Sequence, residues 1–291
     1  MTYHFRAACA SLQRDPGHLR LRDRAVLRIL NRAQAATAAQ LTILAYRNRR
    51  LAQARLRRLW DWGYLERITL PPAGSHGGPA FAYRLSIACL RRLGYRRDVR
   101  RGPGYLAHTL DAVDAVCALV RCGDPDESPL VQAWLPESIV GDARVGVSVP
   151  DAIVALTGET GSAVLCLEID EATQHVGPIR DKLLAYRQAL GDRPAWHALF
   201  VVPTASRLAW LRRVAAPTTD RAQMWVVLAT ELSRSGVDAP VVPVAGPRAS
   251  QMLRSLIADS RPRRSAAPVG SRAWLELLGS GGGEELDAVL V

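Results

Sequence analysis

The sequence has almost no lysine: of 38 basic residues, 37 are arginine and Lys182 stands alone. No uncharged apolar run approaches the ~18 residues that a spanning helix needs, so a transmembrane helix is excluded and no membrane partner is expected. Cysteines number five (Cys9, Cys89, Cys117, Cys122, Cys166), and the pair at 117 and 122 has no second pair beside it. That pattern argues against a structural zinc cluster or a disulfide framework, and it fits reduced thiols in a cytoplasmic protein. The first residues, MTYHFRAACASLQRDPGHLRL, lack an apolar core segment, so no secretory signal is expected. No internal repeat is visible, which excludes a solenoid. What remains is a chain of 291 residues, 48% hydrophobic and 22% charged, enough for roughly two globular domains.

The net charge of +11 is unevenly spread. Met1 to Tyr105 holds 21 Arg against 5 acidic residues, whereas residues 106–248 hold 12 basic against 17 acidic. A basic module is joined to a mildly acidic one. Such a module suits a polyanionic partner, since each phosphate neutralised releases condensed counterions. The alternative reading is a basic surface inherited from a GC-rich genome, which the dominance of arginine over lysine also fits.

Leu21, Ala25, Val26, Ile29 and Leu30 recur at helical spacing, with arginines on the opposite face. Thr37 is suited to cap a second helix and Asn48 a third, Arg49–Gly63. The third is expected to turn Leu51, Leu56, Leu59 and Trp60 inward and to display Arg49, Arg50, Gln53, Arg57 and Arg58. Strand signals at 65–70 and 81–85 flank the turn PPAGSHGGPA, and Ile87–Leu93 reads as a closing helix. Three helices and a ribbon make a winged helix-turn-helix pattern, and RLRRLWDWGYLERI (Arg55 to Ile68) resembles many members of that superfamily. The resemblance implies a third helix that enters the major groove of double-stranded DNA. Arg96, Arg97, Arg100 and Arg101, with Gly102–Pro103–Gly104, read as a linker.

Beyond it the pattern is a helix (105–120), strands at 144–149, 152–156 and 163–169, a helix (178–190), a strand (196–202), a helix (207–214) and a strand (224–229). This order predicts a three-layer α/β domain, antiparallel first and then with crossovers. Acidic residues punctuate its strand ends. Asp151 precedes the second strand, Glu168 and Asp170 end the third with i, i+2 spacing on one face, and Glu137 follows Trp134. Carboxylates converging at strand ends form a hard-oxygen site for Mg²⁺ or Mn²⁺, able to activate water for phosphodiester hydrolysis. Ser148 has no histidine at useful spacing, and lone His175 and Cys166 are read as a loop residue and a core residue.

Pro150–Asp151 followed by Glu168–Ile169–Asp170 resembles the PD-(D/E)xK nuclease superfamily, with Asp170 standing where lysine is expected. The lysine of that superfamily can migrate to an adjoining helix, and Lys182 lies on the helix that follows. Most of the chain before its tail resembles the replication-relaxation family, through YRLS (83–86), His108, WLPE (134–137), PDAIVAL (150–156), LEIDEATQ (167–174), DKLLAY (181–186) and ALFVVP (198–203). One departure is Ala172, where the family is expected to prefer glycine.

The resemblance implies a DNA-binding protein acting in replication, relaxation or mobilisation of plasmids and integrative elements, with other replication or mobilisation proteins as further partners. The expected fold is α/β: a winged helix-turn-helix with basic linker over 1–104, a restriction-endonuclease-like domain over 105–236, and a mostly flexible tail over 237–291. Candidate catalytic residues are Asp151, Glu168, Asp170 and Lys182, with Asp151, Glu168 and Glu137 as metal ligands. Two other functions stay open: a metal-dependent endonuclease, and a transcriptional regulator whose second domain is an inactive interaction module.

Overall fold

Helix α1 (Leu21–Ala33) buries Ala25, Val26, Ile29 and Leu30, as its spacing requires. Leu21 does not join them and is 49% exposed. It opens the helix, where a Cβ tilted toward the N-terminus carries the side chain off the packed face. The computed structural model describes residues 5–6, 18–46, 48–70, 81–93, 103–121, 130–137, 149–158, 161–191, 193–216, 223–246 and 249–257. The turn at 71–80 and the basic junction at 94–102 lie outside these.

Helix α2 (Ala38–Leu41) starts at a reciprocal capping box. Gln40 N donates to Thr37 Oγ1 at 3.2 Å, and Thr37 N donates to Gln40 Oε1 at 2.7 Å. The chain continues as a π-type turn over Thr42–Tyr46. Helix α3 (Arg49–Asp61) is capped by Asn48, whose Oδ1 accepts from Leu51 N at 3.0 Å. Ala52, Leu56 and Leu59 are buried, whereas Leu51, expected inside, is 41% exposed. It sits in the first turn beside Asn48, ahead of the stripe that packs. Gly63 takes φ 83°, a left-handed conformation that costs glycine little, and reverses the chain into the sheet.

That sheet is larger than a two-stranded ribbon. β3 (Leu65–Thr69) and β4 (Phe81–Leu85) pair antiparallel, β1 (Phe5–Arg6) adds outside β3, and β2 (Ala36–Thr37) adds outside β4. Both added strands span two residues, too few for an alternating pattern to register. Helix α4 (Ile87–Leu93) follows, anchored where Ser86 Oγ accepts from Cys89 N at 3.0 Å and donates to the Gly63 carbonyl at 2.6 Å. The first half of α5 (Pro103–Arg121) packs here through Leu106 and Leu110 against Ala35, Ile68 and Ala82. The Leu110 carbonyl also accepts from Gln40 Nε2 at 2.8 Å.

The chain divides into two compact units, and the division falls inside α5 between Val113 and Asp114. The second unit is mixed α/β around a seven-stranded sheet, ordered β11-β10-β9-β8-β7-β6-β5. Its strands are β5 (Leu130–Pro136), β6 (Ala152–Thr157), β7 (Ser162–Ile169), β8 (Trp196–Val202), β9 (Met224–Leu228), β10 (Pro240–Pro243) and β11 (Gln251–Met252). β5 to β7 run antiparallel, β7 to β9 parallel, and β9 to β11 antiparallel again. Parallel pairing is made by the crossover helices α6 (Val176–Leu190) and α7 (Ala205–Ala215); α8 (Ala229–Ser235) follows β9. Central strands bury successive residues on both faces, which explains their unbroken apolar runs. On one face Cys166, Phe200 and Val226 pack against Ile179, Leu183, Tyr186 and Leu211.

Two expectations are corrected. The strand before β6 is 130–136; Val149 lies outside any strand, and 144–148 lie outside the described residues. A register shift between Val131 and Ala133 breaks the alternation that would have revealed β5. Nor is the chain loose from residue 237. Val237, Val241, Val244 and Leu253 are fully buried as β10, β11 and two short 3₁₀ turns complete the sheet. Among the described residues Cys89, Cys117 and Cys166 are buried thiols outside any disulfide, and no helix is long and apolar enough to cross a membrane.

Candidate functional site

The ends of three strands are laced together by their main chain. Glu137 N donates to the Asp151 carbonyl at 2.9 Å, and Asp151 N donates to the Leu167 carbonyl at 3.0 Å. Asp151 Oδ2 in turn accepts from Ile169 N at 2.6 Å. Asp151 therefore sits beside Glu168 at the carboxyl end of β7, the side of an open α/β sheet where ligands bind.

Glu168 is 1% exposed and points into the face covered by α6. Lys182 Nζ donates to its Oε2 at 2.5 Å, and Tyr186 Oη donates to its Oε1 at 2.5 Å. Lys182 and Tyr186 are four residues apart on α6, which brings them to one carboxylate. The lone lysine thus reaches the strand-end acid. Burial, then the neighbouring Asp151, pushes Glu168 up to about 7 against the opposing pull of Lys182 and Tyr186. Burial works against the charge on Lys182, but Glu168, then Asp151 and Asp170, outweigh it and the net direction is upward. Tyr186 is raised, by burial first and then by Glu168.

Asp170 shares the face of Glu168 but is taken by another helix. Arg207, in the first turn of α7, donates from Nε to Oδ2 at 2.7 Å and from Nη2 to Oδ1 at 3.0 Å. It also donates to the Gln174 carbonyl at 2.9 Å and lies 3.8 Å from the Trp210 ring centroid. Asp170 Oδ1 further accepts from Ala172 N at 2.9 Å, in a turn where Ala172 takes φ 60°. That left-handed backbone is the physical reason for a glycine preference at this position, and alanine bears strain there. Sequence reading missed Arg207 as a partner, because nothing local distinguishes it from a solvated arginine at a helix start.

The carboxylates of Glu168 and Asp170 are already engaged by side chains of the protein. Both Glu168 oxygens accept from Lys182 and Tyr186, and both Asp170 oxygens accept from Arg207. Among the described residues no group of three or more His, Cys, Asp or Glu is placed to hold a metal. The arrangement is a buried acid with a cation and a phenol, beside a second acid locked by arginine.

In the first unit, Arg49, Arg50, Gln53, Arg57 and Arg58 are all exposed on α3. Arg55, between them in sequence, is buried and donates from Nε to Asp23 Oδ1 of α1 at 3.0 Å, with its Nη2 on Asp23 Oδ2. This fork fixes α3 against α1 and leaves the other arginines facing outward.

Fold and site together define a mixed α/β protein with an arginine-faced helix in one unit and a strand-end acid–lysine cluster in the other. Residues 27–203, more than half of the chain, match the replication-relaxation family, and the chain belongs to that family. The matched span holds α3, Glu137, Asp151, Glu168, Asp170, Lys182 and Tyr186, and ends before Arg207. No curated protein and no solved structure matches the chain.

Proposed function

We propose that this chain is a cytoplasmic duplex-DNA-binding protein acting in the replication, relaxation or mobilisation of a plasmid or integrative element, alongside other replication or mobilisation proteins. The first unit is read as a winged helix-turn-helix and the second as a restriction-endonuclease-like domain. The single observation that carries the reading is the exposed face of α3, where Arg49, Arg50, Gln53, Arg57 and Arg58 project from a helix anchored by a buried fork. Family membership supports the biological setting. Replacing Arg49, Arg57 and Arg58 together with alanine is expected to weaken duplex binding strongly. Each lost phosphate contact should flatten the plot of log affinity against log salt by ~0.9. Unchanged affinity and slope in a salt titration would remove α3 as the DNA-contacting helix.

The rival reading is a metal-dependent endonuclease with Mg²⁺ or Mn²⁺ on Asp151, Glu168 and Glu137. It draws support from the lacing of those three strand ends and from the reach of Lys182 to Glu168. The engagement of both Glu168 oxygens by Lys182 and Tyr186 weighs against it. Millimolar Mn²⁺ is expected to leave the melting temperature unchanged, whereas an ion bound only by the folded state would raise it. A rise that disappears in Asp151→Asn and Glu168→Gln, with nicking of supercoiled plasmid, would establish the nuclease instead.

A further inference from the structure

Arg67, on β3, is a cation surrounded by aromatic rings and answered by no carboxylate among the described residues. Its guanidinium carbon lies 3.9 Å from the Trp60 ring centroid, 5.4 Å from that of Phe81 and 5.8 Å from that of Tyr83. Arg67 Nε and Trp60 Nε1 are both buried without a hydrogen-bond partner among the described residues. The adjacent Glu66 is committed to Arg84, with Arg84 Nε donating to its Oε2 at 2.7 Å, and alternation places that pair on the opposite face of the hairpin.

The box is joined to the exposed face of α3. Trp60 lies in the last turn of that helix, and its ring centroid is also 5.8 Å from the guanidinium carbon of Arg57, an exposed member of the arginine face. Stacking on an indole uses the flat face of a guanidinium and leaves its in-plane N–H groups for hydrogen bonds; Arg67 gives one to the Tyr83 hydroxyl, and a phosphate would take others. One ring therefore organises two arginines from different elements.

We propose that Arg67 is a phosphate-binding residue, held by Trp60, Phe81 and Tyr83 to receive a phosphodiester of the same duplex that α3 contacts. Trp60 is the positioning residue that couples it to Arg57. This rests on the reading of the first unit as DNA-binding, and deepens it by adding the hairpin to the contact surface.

The test is a salt series of fluorescence anisotropy with the full chain and a labelled mixed-sequence duplex. Arg67→Gln should bind more weakly, with a salt slope reduced by ~0.9. Trp60→Leu should lose affinity alongside it. Arg67→Lys should keep the slope, because the charge remains, but lose affinity, because the stacked fork is gone. A merely structural Arg67 would lower the melting temperature of Arg67→Gln while leaving the slope of its folded fraction untouched, and that result overturns the proposal. If Arg67→Gln does not fold, Arg67→Lys decides: parental affinity overturns the assignment and reduced affinity at parental melting temperature supports it. A parent chain that fails to bind the duplex overturns the DNA-binding reading itself, whereas binding by the parent with an unaffected Arg67→Gln overturns this inference alone.

Discussion

Replacing Lys182 with methionine should destabilise the protein by up to about 3 kcal/mol above pH 7, below the ~3–5 kcal/mol for a fully buried pair because Lys182 is itself 23% exposed. Glu168 is left inside the sheet with Tyr186 as its remaining side-chain donor and Asp151 as a like charge nearby. The loss should shrink in acid, where Glu168 takes up a proton and needs no counter-ion.

The sign can be followed through the parent protein. Glu168 releases its proton near 4.5 when unfolded and near 7 when folded, so its contribution favours the fold at low pH and is lost as pH rises through that window. His197, pushed down to about 4 by burial, acts in the opposite direction between about 4 and 6.5. Both chains contain His197, so the difference between parent and Lys182→Met isolates the glutamate. Urea denaturation across pH 5 to 8 provides the measurement. A destabilisation equal at both ends would mean that Glu168 is not the group Lys182 neutralises.

Removing Asp23 should cost the first unit about 3–5 kcal/mol in Asp23→Ala, because Arg55 is then buried without its carboxylate. The same substitution deletes the acceptor at the start of α1, where Arg20 N donates to Asp23 Oδ2 at 3.0 Å. On the proposed DNA-binding reading, duplex affinity should fall with stability, although Asp23 is buried and belongs to α1. The control is the double change Asp23→Leu with Arg55→Met. Removing both charges of a buried pair and replacing them with apolar volume is often near neutral. The double variant should therefore melt closer to the parent than Asp23→Ala does. Equal destabilisation of the two would show that packing, and not the stranded charge, sets the cost.

Much of this architecture was legible because periodicity and capping agree. Asn48 before an arginine-rich helix, Thr37 three residues ahead of Gln40, and the apolar runs of β6 to β9 each follow a local rule that packing does not override. The carboxylates at 151 and 168 were legible for the same reason, since strand ends are where polar residues interrupt an apolar run. The failures have physical causes as well. β1, β2 and β11 span two residues each, and β5 contains a register shift, so neither length nor alternation marks them. Arg55 and Arg207 look like their exposed neighbours in sequence, and only Asp23 and Asp170 on distant segments make them internal. Leu21 and Leu51 were assigned inside from spacing alone, but first-turn positions precede the packed stripe.

The pairing of Lys182 with Glu168 has a consequence for the reactivity of the whole chain. Lysine-directed acylation, cross-linking and enzymatic modification all need an unprotonated ε-amine. This sequence offers one, and the fold holds it against a carboxylate that raises its proton affinity. Histidines apart, every other side-chain cation is a guanidinium, which keeps its proton across the pH range in which proteins remain folded. The positive surface can therefore be neither titrated away at alkaline pH nor erased by acetylation, and its attraction for polyanions is set by salt.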